Sequence, residues 1–249
     1  MWKAFRRWNV HASSRTTPHA LWETRGFVIY DWIARALLGE PHVATVLDVG
    51  AGRTWFFGDA DKRSRGIRLI GVDIDPGELA LNPSLDESYA FDVCDSLGVA
   101  DDTIDLILCR AVVEHLHDTE GFLRNAYSAL KPGGKLALVF ANSWAPPIIL
   151  NRMLPARLSR KLLYALVPNS QGYQGFKAFY DKCTHSKFRK TALKCNFTID
   201  YQYNSYYSSS YFQFFFPLHF LSIFSDYLRM ILSIRDLSSM NLFVLRKPS

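Results

Sequence analysis

Residues 46–53 read Val-Leu-Asp-Val-Gly-Ala-Gly-Arg. The run that leads into them, Ala44-Thr45-Val46-Leu47, has the length and β-branched content of a buried strand. It breaks at Asp48-Val49-Gly50-Ala51-Gly52, where two glycines permit a sharp turn and a close backbone approach to a ligand. A strand that ends in such a loop and feeds a helix is the entry to a nucleotide-type cleft in an open α/β sheet.

The same grammar repeats downstream. Arg65-Gly66 closes a helical turn, and 67–72 is a second buried strand ending at Asp73. A short third strand, 89–91, ends at Asp92. The spacing predicts a fourth strand over 103–108, a helix over 118–130, a hard turn at Lys131-Pro132-Gly133-Gly134 and a fifth strand over 135–140. Strands alternating with helices in this way predict a doubly wound, mostly parallel sheet with helices on both faces. Upstream, 21–38 carries a helical face through Phe27, Tyr30, Ile33, Ala34 and Leu37, with Gly39 as its stop. Residues 12–19 read as a linker. Trp2, Phe5 and Trp8, three apart among Lys3, Arg6 and Arg7, fit a basic amphipathic helix or a terminal helix laid on the domain. Beyond residue 140 the pattern predicts a basic helix over 148–167, a loop over 168–174, a helix over 186–195, and strands over 196–203 and 241–245. An aromatic stretch, 206–217, lies between those strands.

The 249 residues suit one α/β domain with embellishments. Cys94, Cys109, Cys183 and Cys195 form neither a CxxC pair nor a zinc spacing, which predicts reduced thiols and a cytoplasmic setting. The start lacks a signal-peptide core, and no window is apolar enough to span a bilayer, so a soluble or peripheral protein is expected. Residues 1–150 hold 15 Lys/Arg against 19 Asp/Glu, and residues 151–249 hold 14 against 4. This basic last part fits an anionic partner or a solvated face.

Three acids, Asp48, Asp73 and Asp92, stand at the ends of the first three strands, at the carboxyl edge where ligands bind. Asp73 is placed to accept from a ribose diol and Asp92 from an adenine amine. Trp55 occupies the position of the third glycine of G-x-G-x-x-G, and GxxxxGK[ST] is absent, so a nucleoside without phosphates fits better than a dinucleotide. Over 44–141, VLDVGAGR, IGVDIDP, FDVCDSL with DDTIDLILC, CRAVVEHL and LRNAYSALKPGGKLALV follow one another in order. Together they resemble class I S-adenosylmethionine-dependent methyltransferases of the type-11 group. The resemblance implies a Rossmann-like seven-stranded fold and S-adenosyl-L-methionine as cofactor. It implies one domain over 1–249: an N-terminal helical segment at 1–40, a cofactor-binding core at 41–142, and cap elements with the last strands at 143–249. Residue by residue, it implies Gly50 and Gly52 at the methionyl part and Asp48 orienting that loop and the amine. Asp73 would hold the ribose, Asp92 and the Val93 backbone the adenine, and Arg110 would lie by the methionyl end. Thr54 and Gly98 depart from the common pattern.

Methyl transfer is largely alignment, and a hydroxyl acceptor additionally needs a base. His115, with Glu114, is the candidate catalytic pair; anchoring a turn is the alternative role. Relatives with Glu-x-x-Glu-His bind metal, but Ala111 fills the first position, so no metal is expected. The expected reaction is O-methylation of a small-molecule, sugar or lipid-linked acceptor, with 206–224 as a cap whose aromatic stretch lines an acceptor pocket or makes peripheral membrane contact, and an aromatic core as the alternative. RNA or protein acceptors and a non-catalytic scaffold are the alternatives. Nucleic acid is disfavoured because no RNA-binding module is visible. The sequence leaves the oligomeric state open.

Overall fold

The computed structural model describes residues 2–153 and 177–249, apart from the side chains of Trp2, Lys3 and Asp61. The sheet has seven strands: β1 Thr45–Val49, β2 Arg68–Asp73, β3 Glu87–Ala90, β4 Ile104–Arg110, β5 Leu130–Ala141, β6 Thr198–Ser205 and β7 Met240–Arg246. Their spatial order is β3-β2-β1-β4-β5-β7-β6. The first five pair in parallel, and β7 runs antiparallel to both of its neighbours. The predicted Rossmann-like architecture is therefore present. The strand order reverses between β1 and β4, which is where such sheets open a crevice at their carboxyl edge.

The helices are α1 Trp2–Thr16, α2 His19–Glu23, α3 Gly26–Leu38, α4 Asp59–Arg65, α5 Pro76–Ala80, α6 Thr119–Ala129, α7 Pro146–Met153, α8 His185–Lys194 and α9 Phe216–Ile231. One face of the sheet is covered by Phe122, Leu123 and Ala126 of α6 and by Phe188 and Ala192 of α8. The other is covered by Tyr30, Ala34, Leu37 and Leu38 of α3, with Trp55 and Phe57 from the loop after β1. Burial on both sides explains why the central strands read as continuous apolar runs. All four cysteines are free and buried. Among the described residues, no helix is long and apolar enough to cross a membrane.

Three local expectations change. The linker expected at 12–19 is mostly helix: α1 runs to Thr16 and α2 begins at His19, and the hydroxyls of Ser14, Thr16 and Thr17 are satisfied on carbonyls one turn back. The single helix expected over 21–38 is two. Thr24 caps α2, its carbonyl accepts from the Tyr203 hydroxyl at 2.9 Å, and Arg25 is extended. The turn at 131–134 is looped out within β5: Ile104 pairs with Leu130, and the next paired position, Leu106, already faces Lys135. Of the basic helix expected over 148–167, α7 accounts for 148–153, and the remainder with the loop at 168–174 lies outside the described residues.

Candidate active site

Two cavities flank the segment that follows β4. The first, of about 450 Å³, is bordered by Gly50, Asp73, Asp92, Val93 and Arg110 among others. Its volume lies within the range of ligand pockets. Gly50, at φ 74°, donates to the Val72 carbonyl, and a Cβ there would stand 2.3 Å from Val112 Cγ2. Gly52, at φ 49°, has open space where a Cβ would be. Its N–H donates to Asp73 Oδ2 at 3.0 Å, while Asp73 Oδ1 accepts from the Asp75 N–H at the same distance. Asp73 thus pins the glycine loop and still borders the cavity. Asp92 Oδ1 accepts from the Cys94 N–H.

The loop explains the tolerance of Trp55. The next helix starts only at Asp59, so the indole never enters it, and the ring packs edge-on against Phe57. Ile74 and Phe91, at the first cavity, are 57 % and 43 % exposed. They are apolar walls beside the two acids, which is what a flat purine needs. The residues present therefore fit an adenosine-type group carrying no phosphate.

Asp48 is half-buried below the loop. Burial, with the neighbouring Asp73 carboxylate, pushes its carboxyl up to about 7. The Arg110 guanidinium lies between two rings, 4.2 Å from Phe27 and 4.0 Å from Phe56, with Nε 3.5 Å from Asp31 Oδ1. Ala111, which follows it, is held at φ 58°, an uncommon conformation for a residue with a Cβ and one concentrated at functional sites.

The second cavity, of about 430 Å³, is bordered by Phe27, Ile148, Tyr207, Tyr211 and Met240, with Glu114 at its wall. Phe27, which lines it, carries the Arg110 guanidinium of the first cavity over its ring, so the two cavities adjoin there. Glu114 and His115, adjacent in a 3-10 turn at Val113–His115, diverge. His115 borders the first cavity, with Nδ1 3.2 Å from the Lys177 carbonyl, whereas Glu114 borders the second. Burial pushes the Glu114 carboxyl up to about 7. It also raises the Tyr211 phenol, to which the Glu114 carboxylate adds. The backbone of the turn is held from the far side by Phe179 and Tyr180, whose N–H groups donate to the Glu114 carbonyl at 3.0 Å.

Among the described residues, Asp92, Cys94 and His117 are the one group close enough together to share a metal ion. Burial raises the Cys94 thiol to about 11, which keeps it protonated and a poor ligand.

Of the residues nominated from the sequence for the cofactor, Gly50, Asp73, Asp92, Val93 and Arg110 border the first cavity, while Asp48 and Gly52 do not. What the sequence reading missed divides in two. Ile74 and Phe91 had a signal, since each adjoins a strand-end acid in the chain. Phe27, Asp31 and Phe56 had none, being brought to Arg110 only by folding, whereas Tyr211 belongs to the aromatic stretch singled out in the sequence.

Residues 47–138 match the family model described as a methyltransferase domain. That segment is similar to methyltransferase domains. The chain is similar to an uncharacterized methyltransferase of Mycobacterium sp. (strain JLS), 32% identical over 130 residues, which cover 51% of this chain and 50% of the relative. It is also similar to phosphoethanolamine N-methyltransferase 2 of Caenorhabditis elegans, 30% identical over 103 residues covering 38% and 23% of the two chains. The chain spans about half the length of the first of these relatives. Among solved structures, geranyl diphosphate C-methyltransferase of Streptomyces coelicolor A3(2) superposes with a TM-score of 0.56 at 13% identity, covering 88% of this chain and 77% of the other. That likeness concerns the fold.

Proposed function

We propose that this chain transfers a methyl group from S-adenosylmethionine to oxygen of an apolar small-molecule or lipid-linked acceptor. The observation that carries the reading is the pair of cavities on either side of residues 110–116, one edged by strand-end acids, the other lined by aromatic and aliphatic side chains with Arg25, Gln213, serines and one buried carboxyl. When bound, the cofactor supplies a methyl group that is already electrophilic. Asp73 would accept from the ribose hydroxyls, and Asp92 with the Val93 backbone would hold the adenine between Ile74 and Phe91. Gly50 and Gly52 would let the backbone meet the methionyl part, beside Arg110, and Asp48 would face its amine. Calorimetric titration with S-adenosylhomocysteine should give saturable heat where NAD gives none; no heat with S-adenosylhomocysteine would remove the reading.

In this reading Glu114 takes the proton from the acceptor hydroxyl, because it borders the second cavity. His115, first choice on sequence grounds, instead braces the Lys177 segment at the edge of the first cavity. A carboxyl held near 7 is matched to general-base work at neutral pH. With an acceptor found by screening hydroxylated apolar compounds for S-adenosylhomocysteine release, Glu114→Gln is expected to lower turnover by about 10² or more. Wild-type turnover should rise with pH through about 7 as Glu114 ionises, and the glutamine variant should lose that rise. An unchanged rate and profile would return Glu114 to a structural role.

Asp48 predicts a second pH dependence. Below about 7 the free carboxyl is protonated and must lose its proton to face a cationic amine. Affinity for S-adenosylhomocysteine should therefore weaken by up to about tenfold per pH unit below 7 and level off above it. Asp48→Asn should flatten that slope. A slope retained in the variant would place the titrating group elsewhere.

A further inference from the structure

The last helix, α9, is patterned the reverse of an ordinary surface helix. Its buried side carries His219, Ser222, Asp226 and Arg229, with Ile223 the one apolar member. Its open side carries Phe220, Leu221, Phe224, Leu228 and Ile231, which are 63, 62, 63, 46 and 73 % exposed. Both charged residues of α9 are inside, so its outer face has no charge at all. The buried side is fully engaged. Asp226 accepts from the N–H groups of Ser208 and Ser209 and from the Ser208 hydroxyl, and it pairs with Arg229. Arg229 also donates to the Leu237 carbonyl, and His219 lies 2.9 Å from the Ser209 carbonyl and 3.1 Å from that of Ser13. The helix therefore cannot rotate to bury its apolar side without stranding that network.

We propose that the outer face of α9, with the Phe5 and Trp8 flank of α1, is seated in the interface of an anionic lipid bilayer. Trp8 meets Phe216 edge-on at 6.4 Å, so the two exposed apolar strips are continuous. A contiguous apolar patch of this kind on an uncharged helix marks an interaction surface. Charge complementarity selects the occupant. Exposed Arg15 lies two turns from Trp8 on the same flank of α1, and exposed Arg7 adjoins Trp8. Cations around an apolar strip are attracted by anionic headgroups, whereas a second copy would bring the same cations together. The 16 residues of α9 extend about 24 Å, too short to span but suited to lying in the membrane plane. Tyr207, Tyr211 and Gln213 border the second cavity and lead directly into α9, so a bilayer bound there would adjoin the cavity wall. The proposal deepens the lipid-linked acceptor reading, yet docking is measured without turnover.

The test is flotation of the full chain with vesicles of phosphatidylcholine, with and without phosphatidylglycerol. The protein should float with the anionic vesicles and release as salt rises. Phe220→Glu and Phe224→Glu should each lower partitioning by on the order of tenfold, while Leu193→Glu on α8 should not. Helical circular dichroism and S-adenosylhomocysteine binding kept by these variants would separate lost docking from lost fold or lost cofactor site. Absence of flotation, or flotation indifferent to both phenylalanine variants, would overturn the proposal. So would a solution dimer, seen by light scattering, that Phe224→Glu splits while vesicles stay unbound.

Discussion

Replacing Asp226 by alanine is expected to lower the unfolding free energy by about 3–5 kcal/mol, a large part of what holds a domain of this kind together. Asp226 is fully buried and Arg229 nearly so. Burial pushes the carboxyl up and the guanidinium down, and the hydrogen bonds around each oppose that pressure by favouring the charged forms. Alanine removes the acceptor for two backbone N–H groups and one hydroxyl and leaves a cation inside the protein. The loss should far exceed that of an exposed pair such as Arg246 with Asp200. Denaturant unfolding at neutral pH measures it, and a change below about 1 kcal/mol would mean the pair is solvated. Replacing the pair together, as Asp226→Leu with Arg229→Met, should recover part of the loss, because no unpaired charge then remains.

Asp73→Ala is expected to weaken S-adenosylhomocysteine binding by about 2–4 kcal/mol, or roughly 30- to 1000-fold. In the proposed complex the side chain accepts from two ribose hydroxyls. It already holds Gly52 and Asp75 by their N–H groups, each at 3.0 Å. The variant therefore loses ligand contacts and the fixed posture of the glycine loop together. Asp73→Asn, which keeps one carbonyl acceptor, should fall between wild type and alanine. Titration calorimetry reads both, with thermal unfolding as the check that β2 still pairs with β1 and β3. Affinity in the alanine variant equal to wild type would place the ribose elsewhere.

The placement of the candidate cofactor residues was legible because of a property of the sheet. In a parallel sheet every strand presents its carboxyl end at one edge, so acids that close β1 and β2 and follow β3 must come together without any knowledge of side-chain packing. Asp48, Asp73 and Asp92 needed only their positions relative to apolar runs. The loop glycines are local as well, since positive φ at Gly50 and Gly52 is a backbone requirement. Opposite conditions hold on the acceptor side. Glu114 and His115 are neighbours in the chain, and their divergence into two cavities is set by a 3-10 turn clamped from Phe179 and Tyr180. Residues 114 and 179 are far apart in the chain, and spacing says nothing about such a clamp.

By itself the sequence determined the doubly wound, mostly parallel sheet and the acids and glycines at its carboxyl edge, because short-range periodicity and turn chemistry specify these. The orientation of α9 was decided only by the tertiary structure. Helical periodicity divides 216–231 into a polar side and an apolar side but does not say which side packs. The usual rule would bury Phe220 and Phe224. Here the backbone N–H groups of Ser208 and Ser209, the Ser13 carbonyl and the Leu237 carbonyl all needed partners in the interior. Leaving such groups unpaired costs more than exposing apolar surface, so Asp226, Arg229 and His219 turned inward and the phenylalanines outward.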